Sequence, residues 1–199
     1  MPNDRATGLK PVAQPAALPV ALIDPGHGGH DPGAVYDGVR EADLNLAIAL
    51  RLKSLGAAGF KPMALYLTRE DDRFVALTHR AEMANELGAD LFVSIHCDAS
   101  PRPEVSGFSV HHAPGAEGGE ILARCLHGAL VRALPGRRDR GIIPSSFLVL
   151  KRTAMPACLV ECEFLSHAES RAWLQTPEAQ NLLAEAVRQG LEEFLHAAV

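Results

Sequence analysis

The residues best suited to chemistry cluster in Asp24-Pro25-Gly26-His27-Gly28-Gly29-His30-Asp31-Pro32-Gly33, directly after an apolar run. Four glycines in this decapeptide let the backbone bend tightly and approach a ligand closely. A second histidine, His96, closes the apolar run from Asp90, and Glu41 opens a helix-like segment soon after His27. Two imidazoles and a carboxylate are a ligand set for catalytic zinc, with the fourth position left to water. Glu161 lies near the end of the apolar stretch Ala157-Cys158-Leu159-Val160-Glu161-Cys162-Glu163-Phe164. A carboxylate there is costly to bury unless it is paired, protonated or used, which makes it a candidate general base. Plainer readings stay open: a Gly-rich turn with a solvated histidine, histidines that only hydrogen-bond at strand ends, and a Glu161 that escapes to solvent. A phosphate cradle would need a GxxxxGK[ST] or GxGxxG pattern, and neither is present.

Positioning these groups requires strands that end near them. Strand-like runs are predicted at Leu18 to Ile23, Met63 to Thr68, Leu91 to His96, Gly107 to His112, Phe147 to Leu150 and Ala157 to Cys162. Helix-like runs alternate with them: Leu44, Ala47, Ile48, Leu52 and Leu55 repeat at three and four, with Gly56 or Gly59 as the stop. Leu77, Ala81, Ala84 and Leu87 do the same before Gly88, and a broad stripe runs from Ile121 to Leu130. The last helix has Thr176 as cap and Pro177 at its first position. This rhythm predicts a single α/β domain with about six strands, a mixed and mostly parallel sheet, and helices on both faces. His27 and His96 then fall at carboxyl ends of strands, the edge where open α/β sheets bind ligands. Period-two alternation puts Glu161 and Glu163 on one face, and Cys158 and Cys162 on the other at about 13 Å, beyond disulfide reach. Cys97 points away from His96, and the adjacent His111 and His112 face opposite sides.

The chain has 199 residues, 47% hydrophobic and 22% charged, which suits one globular domain and excludes a disordered chain. A net charge of -5 gives no attraction to phosphate backbones, so nucleic acid is not an expected partner. Four scattered cysteines make no disulfide framework. Residues 1–17 read as a flexible Pro- and Ala-rich leader, and residues 18–199 as the folded domain. Pro11, Pro15 and Pro19 break the apolar stretch near the start, so neither a signal peptide nor a membrane span is expected.

Six segments together resemble the zinc-dependent N-acetylmuramoyl-L-alanine amidases of the cell-wall amidase type, the amidase_3 group. They are Ile23-Asp24-Pro25-Gly26-His27-Gly28-Gly29, Arg40-Glu41-Ala42-Asp43-Leu44-Asn45, Leu67-Thr68-Arg69, Ala89 through His96, Val149-Leu150-Lys151 and Leu159-Val160-Glu161. Each is weak alone, but their order and spacing match from Val20 to Leu195. The resemblance implies one zinc ion per chain, bound by His27, Glu41 and His96, with Glu161 as the catalytic glutamate. It departs at Glu163, where relatives have a small residue, and at His167, where they have asparagine. A second carboxylate beside Glu161 would raise the pKa of one of the pair.

The implied reaction is hydrolysis of the amide joining N-acetylmuramic acid to L-alanine in peptidoglycan, hence extracytoplasmic work on the cell wall by an autolysin-like hydrolase. Arg137, Arg138, Arg140, Lys151 and Arg152 are candidates to meet stem-peptide carboxylates, with solvated surface charge as the plain alternative. Some relatives carry a helical insertion that blocks the zinc. About twenty residues separate His96 from the helix near Gly118, too few for such a helix, so the chain is expected to act as a monomer without an activator protein. The competing expectations are a zinc peptidase cutting within the stem peptide, and a peptidoglycan-binding module without catalysis.

Overall fold

The computed structural model describes residues 18–55 and 63–197. The expected leader, and the helix stop at Gly56 or Gly59, lie outside the described residues. The strands are β1 (Val20–Pro25), β2 (Val35–Tyr36), β3 (Val39–Arg40), β4 (Ala64–Leu67), β5 (Leu91–Asp98), β6 (Phe108–His112), β7 (Asp139–Pro144) and β8 (Ala157–Phe164). The helices are α1 (Glu41–Leu55), α2 (Leu77–Leu87), α3 (Glu117–Ala133), α4 (Leu148–Arg152), α5 (Ala168–Leu174) and α6 (Pro177–Ala197).

Six strands form one sheet in the order β4-β1-β5-β8-β6-β7, and β2 and β3 make a separate hairpin. The neighbours β4, β1, β5 and β8 are parallel, while β6 runs antiparallel to β8 and parallel to β7. The chain leaves β1 toward β4 on one side and leaves β5 toward β8 and β6 on the other. The gap between β1 and β5 is therefore a topological switch point, where such sheets leave a crevice at their carboxyl ends.

Both faces of the sheet are covered, which is why β1, β5 and β8 are almost continuously apolar. On one face Ile48 and Leu52 of α1, Leu122 and Leu126 of α3, and Leu183 and Val187 of α6 pack against Ile23, Val93, Val110 and Val160. On the other, Ala84 of α2 and Val149 and Leu150 of α4 meet Leu22, Phe92 and Leu159. Burying each Leu, Ile or Val stabilises by roughly 1.5–3 kcal/mol relative to exposure. Helices α3 and α6 approach closely because Gly190 has no side chain: a Cβ there would lie 2.7 Å from the Leu126 α-carbon. Helix α2 ends as its sequence requires, with Gly88 left-handed (φ 63°) and its N–H turned back to the Ala84 and Asn85 carbonyls. At the start of α6 the Thr176 hydroxyl accepts the Ala179 N–H at 3.2 Å.

Two expectations are corrected. Phe147 to Leu150 is not a strand: Phe147 caps the short helix α4, with Val149 and Leu150 buried beneath it. A four-residue apolar run has no period by which strand and helix could be told apart. The sixth strand is instead β7, a polar, half-exposed edge strand. The second correction concerns Glu163. The β5–β8 register slips between His96 and Asp98, which pair with Glu161 and Phe164 respectively. The extra residue this places in β8 breaks the alternation, and Glu163 is held by Gly107, Ser170 and Arg137 instead of sharing the setting of Glu161.

Candidate active site

The turn after β1 is built around His27, one of two non-glycine residues with positive φ (62°) among the described residues. Such a conformation is costly for a residue with a Cβ and persists only when its surroundings fix it. Here Gly28 and Asp31 exchange backbone hydrogen bonds at 2.8 and 3.2 Å. Two buried arginines hold the turn from below. Arg69 donates to the carbonyls of Pro25, Gly26 and Ala42 at 2.9, 2.8 and 2.8 Å. Arg80 donates to the carbonyls of Pro25 and His27 at 2.8 and 2.7 Å, and to Asp24. The Gly26 and His27 carbonyls lie beyond the end of β1, where no ladder partner donates to them, and the guanidinium forks satisfy them there, with Asn45 also donating to Gly26 at 3.3 Å. Asp24 in turn accepts from the hydroxyls of Thr68 at 2.6 Å and Ser94 at 2.8 Å.

On this base the ligating atoms of His27, Glu41 and His96 come within 4.8 Å of one another. His27 Nε2 lies 3.1 Å from Glu41 Oε2, and His96 Nδ1 lies 2.9 Å from Glu41 Oε1. The other ring nitrogen of His27 meets Asp31 at 2.9 Å, so a carboxylate sits behind the imidazole and fixes which nitrogen faces the cluster. Glu41 is buried at the start of α1, and its oxygens also accept from Asn45 and from the backbone N–H groups of Ala34 and Cys97. Burial alone would raise its pKa, but His27 and His96 hold it far below the usual carboxylate range. Gly26 is needed because a Cβ there would lie 2.1 Å from the His96 ring, and Gly33 because one would lie 2.5 Å from Glu41 Oε2. The donor chemistry, two imidazoles and one carboxylate with a supporting Asp31, fits a zinc ion with an open position.

Glu161 pairs in register with His96 across β5 and β8. It lines a cleft of about 240 Å³ together with His27, His96, Asp31, Phe74 and Phe147. Its Oε2 is buried without a hydrogen-bond partner. Burial, then the nearby Asp98 and Glu41 carboxylates, push its pKa well up. A buried carboxyl with an unused oxygen beside two imidazoles is a setting suited to an acid–base group. The exposed apolar residues Phe74, Leu77, Phe147 and Leu148 form the lip of the same cleft.

The four residues singled out in the sequence therefore meet at one edge, while the cysteines stay out of the cluster and Cys97 and Cys162 are buried in the core. Sequence reasoning missed Asp31, Asp98 and the arginine supports. The four-residue spacing from His27 to Asp31 inside the glycine-rich turn was a signal for the first, and nothing local marks Arg80.

Comparison with known proteins agrees with this geometry. The profile of the amidase_3 family, N-acetylmuramoyl-L-alanine amidase, matches residues 21–193. The endolysin of Bacillus phage SPP1 is 35% identical over 179 residues, covering 87% of this chain and 65% of that protein. The sporulation-specific N-acetylmuramoyl-L-alanine amidase of Bacillus subtilis is 35% identical over 173 residues, covering 86% and 66%. The chain thus spans about two thirds of the length of these relatives. The crystal structure of N-acetylmuramoyl-L-alanine amidase from Clostridium difficile 630 superposes with a TM-score of 0.87 at 33% identity, covering 92% of this chain and 99% of that one. A match that runs through β1, α1, β5 and β8, and so includes every residue of the cluster, places this chain in the amidase_3 family of N-acetylmuramoyl-L-alanine amidases.

Proposed function

We propose that residues 18–199 form a catalytic unit that hydrolyses the amide between N-acetylmuramic acid and L-alanine in peptidoglycan. In this reading His27, Glu41 and His96 hold one zinc ion and Glu161 is the general base. The observation that carries it is the approach of the three ligating atoms to within 4.8 Å at the mouth of a cleft that Glu161 also lines.

An amide carbonyl is a poor electrophile and its amine a poor leaving group. A zinc ion held by His27, Glu41 and His96 would lower the pKa of a water toward ~7 and polarise the carbonyl. Glu161 takes a proton from the attacking water at its carboxylate and returns it to the departing nitrogen of L-alanine. Asp31 keeps the His27 ring oriented, and the buried Asp24–Arg80 pair keeps the turn in place. The lip formed by Phe74 and Phe147 offers apolar surface to the substrate.

The test is digestion of purified cell wall followed by identification of new termini. Free amino groups on L-alanine are expected. New termini within the stem peptide would identify a stem peptidase, and binding to the wall without new termini a non-catalytic module. The substrate lies outside the cytoplasm, so the chain would work there. No helix among the described residues is long and apolar enough to cross a membrane. Residues 99–107 join β5 to β6 without a helix that could cover the cleft. The chain should therefore clear sacculi in a turbidity assay as a monomer with zinc alone, and dependence on a second protein would contradict this.

A further inference from the structure

A second cavity, of about 620 Å³, opens at the same sheet edge, one step along β8 from the base. Glu161 lines the cleft and Glu163 lines this cavity, with α-carbons no more than about 7 Å apart at the ~3.4 Å rise of a strand. Glu163 is saturated: one oxygen accepts from the Gly107 and Phe164 N–H groups and the Ser170 hydroxyl at 2.7, 3.1 and 3.0 Å, the other from Arg137 at 2.9 Å. Arg137 is also clamped face-on, 3.4 Å from the centre of the Trp173 ring. That single bond to Glu163 uses one of its five N–H donors, so a rigidly held guanidinium keeps most of its fork open.

Two more donors face no protein partner. Arg138 is exposed on the cavity wall, and among the described residues its side chain makes no ion pair or hydrogen bond. His167 accepts the Ser170 N–H at Nδ1, which leaves an Nε2 N–H to donate. A fixed guanidinium, a free guanidinium and an imidazole N–H are complementary to a carboxylate. Glu169, on the same lining, offsets part of that positive charge.

We infer that this cavity is a subsite for a carboxylate of the stem peptide. The inference rests on the amidase reading: with the scissile amide over His27, Glu41 and His96, the peptide runs past Glu161 and Glu163 toward Arg138.

Calorimetric titration of the full chain with the free stem peptide, and with the same peptide amidated at its carboxylates, tests this without requiring catalysis. The acid form should bind about tenfold more tightly, as a charge-assisted hydrogen bond would give. Arg138→Ala should erase the difference at unchanged melting temperature, and Arg138→Lys should restore part of it. Equal affinities for acid and amide, or a preference that survives Arg138→Ala, would overturn the subsite. Acid-selective binding by a chain that releases no L-alanine amino termini from wall would overturn the amidase reading alone. Release of those termini without acid selectivity would overturn the subsite alone.

Discussion

Arg80 and Asp24 form an ion pair at 2.7 Å with both side chains at least 98% buried, beneath the turn that presents His27. The two residues come from α2 and the end of β1, so the pair ties a helix to the strand that carries the candidate metal ligand. Removing one member of a buried pair leaves an uncompensated charge at a cost of about 3–5 kcal/mol. Arg80→Met should lower the melting temperature by roughly 10 °C for a domain of this size. Because Arg80 also holds the His27 carbonyl, zinc affinity should fall as well. Arg80→Lys should rescue little, since one ammonium cannot reproduce a fork that serves Val75, Asp24, Pro25 and His27. A melting temperature within a degree or two of the parent would refute this.

Glu161→Gln keeps the shape of the side chain and removes its proton chemistry. The variant should bind zinc like the parent and lose wall hydrolysis by about 10³-fold or more. Metal content and release of soluble fragments, measured on one preparation, decide the point. Parental hydrolysis would show that the base lies elsewhere.

His27→Ala and His96→Ala should each lose bound metal and activity together while circular dichroism stays that of the parent. Both side chains sit at the open end of the sheet, away from the apolar clusters. Full hydrolysis by metal-free His96→Ala protein would show that the ligand set is wrong.

His111 should make stability depend on pH. It is buried between the hydroxyls of Ser109 and Ser145, with Phe147 against its ring. Burial, with smaller contributions from His96 and His112, pushes its pKa down to about 4. An unfolded histidine titrates at about 6.5. As pH falls from about 6.5 to 4 the unfolded chain takes up a proton that the folded chain refuses, so stability drops across that window. Urea unfolding at pH 7, 6, 5 and 4 should show a smaller drop for His111→Gln than for the parent, and parallel curves would contradict the assignment.

Glu163→Gly should act through the fold and leave the pH optimum in place. Losing this carboxylate strands the Gly107 N–H and unpairs Arg137, at a cost of about 1–3 kcal/mol for each buried group left unsatisfied. A lower melting temperature with an unchanged pH–rate profile is expected. An acid-shifted optimum at parental stability would restore the electrostatic coupling to Glu161 expected from strand alternation.

Much of this architecture is legible residue by residue. The three-and-four spacing of Leu44, Ile48 and Leu52 marks α1, and the continuous apolar runs ending at Asp24, His96 and Glu161 mark the strands whose ends converge. Edge strand β7 is hidden because Asp139, Arg140 and Gly141 bury little and show no alternation. Phe147 to Leu150 reads as strand because its apolar run is too short to display a helical period. Arg80 looks like a solvent-facing helix residue, and only the fold brings it to Asp24. The slip in β8 depends on pairing with another strand, so no pattern within Glu161 to Phe164 could reveal it.

The reversed direction of β6 changes which parts of the chain can be remodelled. An all-parallel sheet would bring only strand exits to the catalytic rim. Here the entrances of β6 and β7 lie there too, so the connections 99–107 and 134–138 both border the working side. Chain length added at the tips of these connections, clear of the Arg137 contacts with Glu163 and Trp173 and of the Gly107 bond to Glu163, would build new walls around the substrate, which makes these two loops the natural sites for grafting altered wall-chemistry preference onto an unchanged core.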